Sequence, residues 1–421
     1  MGALTAALLL SGCSGPSGAT SYTPPTQAEG SLPKDMQGEL TDAVTRAMAA
    51  TGSSGAIVGV WAPWSGSWVE GLGTVAHGEE KPVTTDMSFR IGDVTRMMTC
   101  DVLYALVDRG VVKLDDPVTD YVAGIPNMSD VTLLNLCNGT SGLGSSKETT
   151  LGAYLGNPTR EWSPKALASY GIERGRTAPG LSYRDSDAAY LLLGVALERA
   201  SGTPAADLIA TYVTDPLGLS RTRLPEVAPS APDTGGPVLK GSYVPKGPAG
   251  YDCAAPVDIT VSSSSIGFTD AGVVSTIEDL GRYAQADARQ ALRLKKEPNR
   301  FGSPLPAVKD GPSWYQATGG AYLVGSMIGQ QGWAPGYLTA AYSDPASGFT
   351  VAVVLNGSSA TSTSAGFLAW ELAAIASKAP PAEGQTAPEF ALPFTAERYR
   401  TEGAGLAICP LPPAEPAAEN G

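Results

Sequence analysis

Two kinds of hydrophobic spacing appear in the first quarter of the chain. Short apolar runs at 55–62 (GAIVGVWA) and 66–75 (GSWVEGLGTV) flank a Pro/Ser/Gly turn, which predicts a β-hairpin. The later segment VTRMMTCDVLYALVDRG places apolar residues on one stripe of a helix that Gly110 ends. The residues of that stripe are Val94, Met97, Met98, Val102 and Leu106.

Two more helices are predicted in the middle of the chain. Residues 185–202 (DSDAAYLLLGVALERASG) begin with polar capping residues, continue with an apolar run and end at Gly202. Residues 275–286 (STIEDLGRYAQA) begin with Ser275, and Glu278 follows three positions later, which predicts a capping box. The long stretch around these helices is otherwise helix and loop in character.

The last organised stretch returns to strands. Residues 336–344 (GYLTAAYSD) and 348–357 (GFTVAVVLNG) are apolar runs with Gly and Asn-Gly ends, and they predict paired strands. A final amphipathic helix is predicted at 364–379 (SAGFLAWELAAIASKA). Strands at both ends and helices between them predict a sheet built from both halves of one domain, 38–378, with a helical insert at roughly 100–265.

Composition narrows the classes of function. The 421 residues are 43% hydrophobic and 16% charged, which is typical of a globular protein. The net charge of −13 and the lack of a basic run argue against nucleic-acid binding. His77 is the single histidine and lies in a polar loop segment, VAHGEE. We therefore expect no His-rich metal site, no Ser-His-Asp triad built on another residue, and no cofactor.

Both ends of the chain differ from its middle. Residues 1–13 (MGALTAALLLSGC) form a short apolar run that resembles a bacterial lipobox, in which Cys13 becomes the lipidated N-terminus. The run has no Lys or Arg, so we expect the natural start to lie upstream. Residues 14–37 are rich in Ser, Gly, Pro and Thr and predict a flexible tether. Most of the Pro/Ala/Glu-rich tail, 379–421, is predicted to be disordered unless Cys409 pins it.

The cysteines fit a protein at the outer face of a bacterial cell membrane, lipid-anchored or secreted. If Cys13 is lipidated, four cysteines remain, and an even number suggests disulfides in an exported chain. Four cysteines allow three connectivities, of which we favour Cys100–Cys137 with Cys253–Cys409. Buried free thiols are the alternative.

Seven colinear segments resemble the serine β-lactamase and D,D-carboxypeptidase superfamily, in particular its class C, penicillin-binding-protein-like branch. FRIGDVTRMM (89–98) stands where the family writes F-R-I-G-S-x-T-K, and VTLLNLCNGTSGL (131–143) matches T-L-x-x-L-L-x-H-T-S-G-L. The other segments are VVKLDDPVTDYV (111–122), PGLSYRDSDAAYLLLGVALERASG (179–202), DPLGLSRT (215–222), GVVSTIEDLGRYAQA (272–286) and GWAPGYLTAAYSDPASGFTVAVVLNG (332–357). The resemblance implies a β-lactamase/transpeptidase-like α/β fold, with an antiparallel sheet flanked by helices plus a mostly helical subdomain.

The family's central motif is altered in this chain. In the family, a serine at a helix N-terminus is acylated, and a lysine three residues later accepts its proton. The serine position here is Asp93, which predicts a helix N-cap rather than a nucleophile. The lysine position is Arg96, whose guanidinium stays protonated and cannot act as a general base. One helical turn separates the two, so an Asp93–Arg96 ion pair is predicted.

The family's two other motifs are also altered. In Y-x-N, Tyr183 is kept and the Asn position is Asp185. In the strand motif, H-x-G or K-T-G, the first position is Gln330 and the glycine is kept as Gly332. Trp333 follows, where it can cover the cleft floor, stack on a ligand or fill the core. The predicted ligand-cleft residues are Asp93, Arg96, Tyr183, Gln330 and Trp333.

These substitutions predict a retained scaffold without acyl-serine chemistry. The only Ser-x-x-Lys in the chain, Ser31 to Lys34, lies in the predicted tether. The first hypothesis is a lipid-anchored binding or scaffold protein of the cell wall, whose partner is a peptidoglycan fragment or an envelope protein. The alternative is a carboxypeptidase, esterase or β-lactamase-like hydrolase that works by an altered mechanism around Asp93. The oligomeric state stays open.

Overall fold

A computed structural model describes residues 22–389 and 391–411 of the chain. The predicted lipobox segment with Cys13 therefore lies outside the described residues. The helices are α1 Lys34–Thr51, α2 Thr95–Asp108, α3 Leu133–Cys137, α4 Lys147–Gly156, α5 Pro164–Glu173, α6 Asp187–Ser201, α7 Ala205–Ile209, α8 Asp215–Leu217, α9 Phe268–Ala271, α10 Ile277–Ala288, α11 Ser362–Ala376 and α12 Ala396–Gly405. None of these helices is long and apolar enough to cross a membrane.

The strands form one large sheet and several short ladders. They are β1 Gly55–Ala62, β2 Gly66–Gly73, β3 Phe89–Arg90, β4 Ser242–Tyr243, β5 Lys246–Gly247, β6 Gly250–Tyr251, β7 Val257–Asp258, β8 Val274–Ser275, β9 Leu305–Pro306, β10 Tyr315–Thr318, β11 Ala321–Val324, β12 Met327–Ala334, β13 Tyr337–Ser343 and β14 Thr350–Leu355. The large sheet has eight strands in the order β2-β1-β14-β13-β12-β11-β10-β9.

Every neighbouring pair in the large sheet is antiparallel. β1 comes from the start of the domain and β14 from its end, and they pair with Val58 opposite Val353. The predicted β1–β2 hairpin and the predicted β13–β14 pair are confirmed. The hydrophobic pattern therefore identified a sheet that both ends of the domain build.

The two faces of the sheet bury different helices because successive strand residues point to opposite sides. Val353 packs with Leu368 and Trp370 of α11. Its neighbour Val354 packs in the other cluster, with Leu280 of α10. The helix predicted at 364–379 is confirmed as α11. It also packs against α1 and α12 and is buried on nearly all sides, so only its predicted amphipathic character is wrong.

The helical subdomain follows the predicted elements with one local exception. α2 is buried along almost its whole length, and α6 ends at Gly202 in the left-handed conformation, as predicted. α10 has Thr276 as its N-cap, without a side-chain cap hydrogen bond, so the predicted Ser275–Glu278 capping box is wrong. The Ser275 hydroxyl is instead hydrogen-bonded to Thr222 Oγ1, which draws it into the subdomain.

Both predicted disulfides are confirmed. Cys100–Cys137 joins α2 to α3, and its Cα atoms are 5.6 Å apart. Cys253–Cys409 joins the subdomain to the C-terminal tail, with 5.9 Å between Cα atoms. The second bridge pins the tail at the residue that the sequence analysis singled out.

The described parts of the chain ends pack on the domain. Leu32 is buried and its N–H donates to Ser67 O, so the predicted flexible tether is wrong from residue 22 onward. α1 begins at Lys34, inside the stretch assigned to the tether. At the other end, α12 packs on α11 and buries Tyr399, so the predicted disorder is wrong for the described tail. Both segments contribute apolar side chains to the cluster under the sheet, which offsets the entropy lost on ordering them.

Candidate functional site

The altered motif lies where the turn before α2 touches strand β12. Residues Gly92–Val94 form one 3₁₀ turn directly after β3. Gly92 has a φ of 56°, and a Cβ added there would lie 2.9 Å from the Trp333 backbone nitrogen. A Cβ added at Gly332 would lie 2.3 Å from the Asp93 backbone nitrogen. The two glycines therefore let strand and turn meet, and this contact holds Asp93 beside Trp333.

Asp93 does not cap the helix. The N-cap of α2 is Val94, which makes no side-chain cap hydrogen bond, so the predicted capping role is wrong. The Asp93 carboxylate instead accepts hydrogen bonds from Lys147 Nζ, at 2.9 Å to Oδ1 and 3.2 Å to Oδ2. The donor to the Asp93 carboxylate is therefore the ammonium of Lys147 and not the backbone amides of α2.

Arg96 contacts Asp93 only weakly. The distance from Arg96 Nη2 to Asp93 Oδ2 is 3.8 Å, which is an ion pair without a hydrogen bond. The guanidinium donates at 2.7 Å from Nε to Asp270 Oδ1 and at 2.5 Å from Nη1 to Asp185 Oδ1. It also lies 4.8 Å from the centre of the Tyr190 ring. The predicted Asp93–Arg96 pair exists, but it is the lesser interaction of both side chains.

Sequence reasoning missed Lys147 and Asp270. Lys147 begins α4 and lies 54 positions after its partner Asp93. Asp270 lies in α9, 174 positions after its partner Arg96. Neither residue has a spacing signal that links it to the altered motif. The nearest clue in the sequence is that Lys147 closely follows the T-S-G-L segment, which ends at Leu143 and resembles the family.

Burial and charge shift the pKa values in this cluster in opposite directions. Burial raises the pKa of the Asp270 carboxyl to about 7, against the opposing effect of Arg96 and Lys147. Burial also acts on Asp185, but Arg96 outweighs it and lowers the pKa of that carboxyl. Burial opposes the charge on Lys147, but Asp93 and Asp270 outweigh it and raise its pKa. Asp270 is therefore a group that exchanges a proton near neutral pH, while Lys147 stays charged.

The cluster opens onto a cavity of about 230 Å³. Of the residues predicted from sequence, Asp93, Asp185 and Trp333 line it. The Trp333 indole donates to Ser358 O at 2.7 Å, and Lys147 Nζ lies 5.7 Å from the centre of the Trp333 rings. Trp333 therefore forms one wall of the cleft, and its partly buried side chain also packs against the core cluster under the sheet.

Arg96, Tyr183 and Gln330 are not in the described lining of this cavity. Arg96 is buried beneath it. The Tyr183 hydroxyl is hydrogen-bonded to Tyr322 at 3.0 Å, and burial raises the pKa of Tyr183. The Gln330 amide donates to Gly320 O at 2.9 Å inside the sheet. Two of the five predicted cleft residues therefore turn their polar groups into the protein rather than toward a ligand.

The hydroxyl groups of the lining do not form a Ser–Lys pair. These hydroxyls belong to Ser146, Thr150, Thr361 and Ser362. Ser146 donates to the Asp187 carboxylate, and Thr150 donates to Ser146 O at 3.1 Å. Within 22–389 and 391–411, no lining hydroxyl is hydrogen-bonded to Lys147, and no group of His, Cys, Asp or Glu side chains is arranged to hold a metal ion. The arrangement offers paired charges and hydrogen bonds rather than an activated nucleophile.

Comparison with known proteins agrees with this fold. Residues 40–374 match the family model described as Beta-lactamase. This match covers well over half of the chain, and the protein belongs to that family. That Asp93 and Arg96 stand at the family's serine and lysine positions stays a prediction from the altered motif.

Relatives of known activity match about a third of the chain. It is 35% identical over 161 residues to the D-alanyl-D-alanine-carboxypeptidase/endopeptidase AmpH of Escherichia coli (strain K12), covering 35% of this chain and 40% of that protein. It is 32% identical over 156 residues to Esterase EstB of Burkholderia gladioli, covering 33% and 39%. The matched stretches span well under half of these relatives.

Solved structures share the fold over most of the chain. The D-stereospecific amidohydrolase from Streptomyces sp. superposes with a TM-score of 0.65 at 22% identity, covering 77% of this chain and 94% of that one. The octameric penicillin-binding protein homologue from Pyrococcus abyssi superposes with a TM-score of 0.65 at 21% identity, covering 81% and 76%. At these identities the likeness shows the fold alone.

Proposed function

We propose that this chain is a ligand-binding protein of the bacterial cell envelope that keeps the β-lactamase-like scaffold without acyl-serine chemistry. Its partner is a cell-wall peptide fragment or another envelope protein, and a lipid on Cys13 holds it at the outer face of the membrane. The observation that carries the proposal is the pairing of the Asp93 carboxylate with Lys147. The side chain at the nucleophile position is a carboxylate bound by Lys147 through both oxygens.

The chemistry of acyl transfer supports this proposal. An acyl group on Asp93 would form an anhydride, which is a poor stable intermediate, and the paired carboxylate is a weak nucleophile. Arg96 cannot accept a proton, and its guanidinium is held by Asp270 and Asp185. Tyr183 is bonded to Tyr322 rather than directed at Asp93. The three groups that would move protons in the family are therefore absent or engaged elsewhere.

Covalent labelling with a fluorescent penicillin tests the proposal. The purified protein is incubated with the probe, denatured and separated by electrophoresis. We expect no label to survive denaturation. The control is the same protein with unlabelled penicillin added first, which separates specific from surface labelling. A label that survives denaturation, is removed by competition and is lost in Asp93→Ala would overturn the proposal.

A second candidate is a hydrolase with an altered mechanism, in which Asp93 or Asp270 acts as a base for water. The pKa of Asp270 near 7 favours it, since a general base works best near the operating pH. Relatives named as a carboxypeptidase and an esterase also favour it. Turnover of a panel of esters, D-Ala-D-Ala peptides and cephalosporins tests it. Activity lost in both Asp93→Ala and Asp270→Asn but kept in the surface variant Asp130→Asn would establish this candidate.

The anchor is tested separately in cells. Wild-type protein and Cys13→Ala are expressed in a bacterium, and the extracts are partitioned between detergent and aqueous phases. A lipid on Cys13 places the wild type in the detergent phase and the variant in the aqueous phase. Identical partitioning of the two proteins would exclude the anchor without affecting the proposal for the cleft.

A further inference from the structure

The charges around the cavity do not balance. The ionisable side chains of its lining are Asp93, Asp185, Asp187, Asp270 and Lys147. The guanidinium of Arg96 lies directly beneath and supplies the second cation. Four carboxylates against two cations leave the ionised site with two uncompensated negative charges.

Both cations are already committed to named carboxylates. Lys147 donates to both oxygens of Asp93. Arg96 donates to Asp270 Oδ1 and to Asp185 Oδ1. No other cation of the described residues lines the cavity, so an anionic ligand would have to share the ammonium of Lys147 with Asp93.

The fourth carboxylate, Asp187, is satisfied without a cation. Its oxygens accept hydrogen bonds from the backbone N–H and hydroxyl of Ser146 and from the backbone N–H of Ala188. Its position at the start of α6 adds the favourable field of the helix N-terminus. Both oxygens of Asp187 therefore have hydrogen-bond donors within the protein. A carboxylate oxygen without a donor has to be sought elsewhere in the cleft.

Asp270 has a carboxylate oxygen without a hydrogen-bond donor. Its side chain is 1% exposed and lines the cavity. The Oδ2 atom accepts no hydrogen bond from the described part of the chain, and the nearest cation, Lys147 Nζ, is 3.8 Å away. Asp270 Oδ2 is not one of the fully buried atoms that lack a partner. We infer that it is reached from the cavity, where a ligand N–H would supply a hydrogen-bond donor.

Asp185 offers a second acceptor at the mouth of the same cavity. Arg96 joins Asp185 to Asp270, since its Nη1 and Nε bind one carboxylate each. The Asp185 side chain is 58% exposed, whereas that of Asp270 is sealed from solvent except through the cleft. A ligand entering from solvent therefore meets Asp185 first and Asp270 at the floor.

The remaining lining suits the organic part of a ligand. Trp333, Leu151 and Ile266 form apolar surface beside the carboxylates. An aromatic ring and aliphatic side chains next to an acidic floor fit an amine that carries a hydrophobic group.

We propose that the cavity binds its ligand through a protonated primary amine, which donates to Asp270 and Asp185 while the attached hydrocarbon packs on Trp333. The proposal rests on the proposed function and deepens it by naming the class of ligand. The amine contributes a positive charge, which offsets the excess of carboxylates over cations, and N–H donors for Asp270 Oδ2.

A matched set of three small ligands tests this proposal. Phenethylamine, 2-phenylethanol and 3-phenylpropanoate share a phenylalkyl group and carry a positive, neutral and negative end. Binding to the full chain is measured by calorimetry at constant pH and ionic strength. We expect the amine to bind about tenfold or more tightly than the alcohol, and the carboxylate to bind more weakly than either.

Variants then locate the amine. Asp270→Asn and Asp185→Asn keep the side-chain shape and remove one charge each, and either change should weaken amine binding about tenfold. Asp185 is largely exposed, so Asp185→Asn keeps the test decisive if Asp270→Asn fails to fold. The control is Asp130→Asn, because Asp130 is likewise paired with an arginine, Arg176, but lies outside the cavity.

The outcomes separate this proposal from the proposed function. Equal or tighter binding of the carboxylate, no binding of the amine, or amine binding that both Asn variants leave unchanged would each overturn the amine site. None of these results depends on penicillin labelling. A labelled protein that binds amines through Asp185 and Asp270 would overturn the proposed function and leave the amine site standing.

Discussion

Two buried arginines in this protein have similar partners in different surroundings. Arg300 bonds at 2.5 Å to Asp101 and at 2.5 Å to Asp287, and all three side chains are almost fully buried. Arg96 also bonds to two aspartates, but one of them, Asp185, is largely exposed. One network is sealed inside the protein, and the other forms the floor of an open cleft.

The donors of Arg300 are used within the protein. Besides the carboxylates, the guanidinium donates to Met97 O at 3.0 Å and to Gly319 O at 2.8 Å. Burial raises the pKa of Asp101, and Tyr283 donates to that carboxyl at 2.8 Å. These contacts tie α2 to α10 and to the loop before β11. Arg300, Asp101 and Asp287 do not line the cavity beside Asp93, and we assign this network a structural role.

The Arg96 network also consists of an arginine and aspartates, but one side of it borders the cavity. Lys147 enters from α4 as a second cation, and Asp270 Oδ2 faces the cavity without a hydrogen-bond donor. The comparison teaches that ion pairing by itself does not mark a site. Asp287 Oδ2, in the Arg300 network, is also buried without a hydrogen-bond partner. What distinguishes the cleft is that its carboxylate oxygen without a donor belongs to Asp270, a residue that lines a cavity.

The largest expected effect comes from removing each arginine. Arg300→Met leaves Asp101 and Asp287 buried without a cation and should lower the free energy of unfolding by about 4 kcal/mol. Arg96→Met should cost less, about 2–3 kcal/mol, because Lys147 remains, Asp185 is exposed and Asp270 can take up a proton. Urea denaturation at pH 7 measures both values.

A larger loss for Arg96→Met than for Arg300→Met would contradict this comparison. It would mean that the cleft network contributes more to folding than the sealed one. The matched control is Arg398→Met, since Arg398 makes an exposed pair with Glu402 and should change stability little.

The next expected effect is a pH dependence of the free energy of unfolding, which arises from Asp270 in the Arg96 network. The folded-state pKa of Asp270 is about 7, well above the ordinary value of about 4 for an aspartate. Between these values the folded state binds more protons than the unfolded state, so stability falls as pH rises through this window and levels off above pH 7. The slope is at most about 1.4 kcal/mol per pH unit.

Asp270→Asn should remove this dependence, because an amide does not titrate. The measurement is the free energy of unfolding of both proteins between pH 4.5 and 8. We expect the wild type to lose stability relative to the variant by about 2 kcal/mol between pH 5 and 7. A constant difference across the range would show that Asp270 is ionised throughout and that its burial is offset by the two cations.

The smallest expected effect is at Lys147. Its side chain is 31% exposed, so solvent weakens its pairing with Asp93. Lys147→Met should destabilise the protein by about 1 kcal/mol, measured by urea denaturation. The control is Lys165→Met, because the Lys165 ammonium contacts the backbone carbonyl of Ala123 rather than a carboxylate. Equal effects of the two changes would show that the Lys147–Asp93 pair adds nothing to folding.

Most of the fold was predictable from the sequence for a physical reason. The strands β1, β2, β13 and β14 and the helices α2 and α6 are long apolar segments with clear ends, and their periodicity follows from which face is buried. The chain ends were predicted poorly. Composition favoured flexible segments there, but a few apolar residues such as Leu32 and Tyr399 pack into the core and order them.

The sequence by itself determined that Asp93 and Arg96 stand in a segment that resembles the family's serine–lysine motif, because chain position and side-chain chemistry are local properties. Among three possible connectivities, it favoured the cysteine pairs that the structure confirms. Only the tertiary structure decided which charges meet. Lys147 and Asp270 reach Asp93 and Arg96 from α4 and α9, and no local pattern encodes contacts between side chains 54 and 174 positions apart.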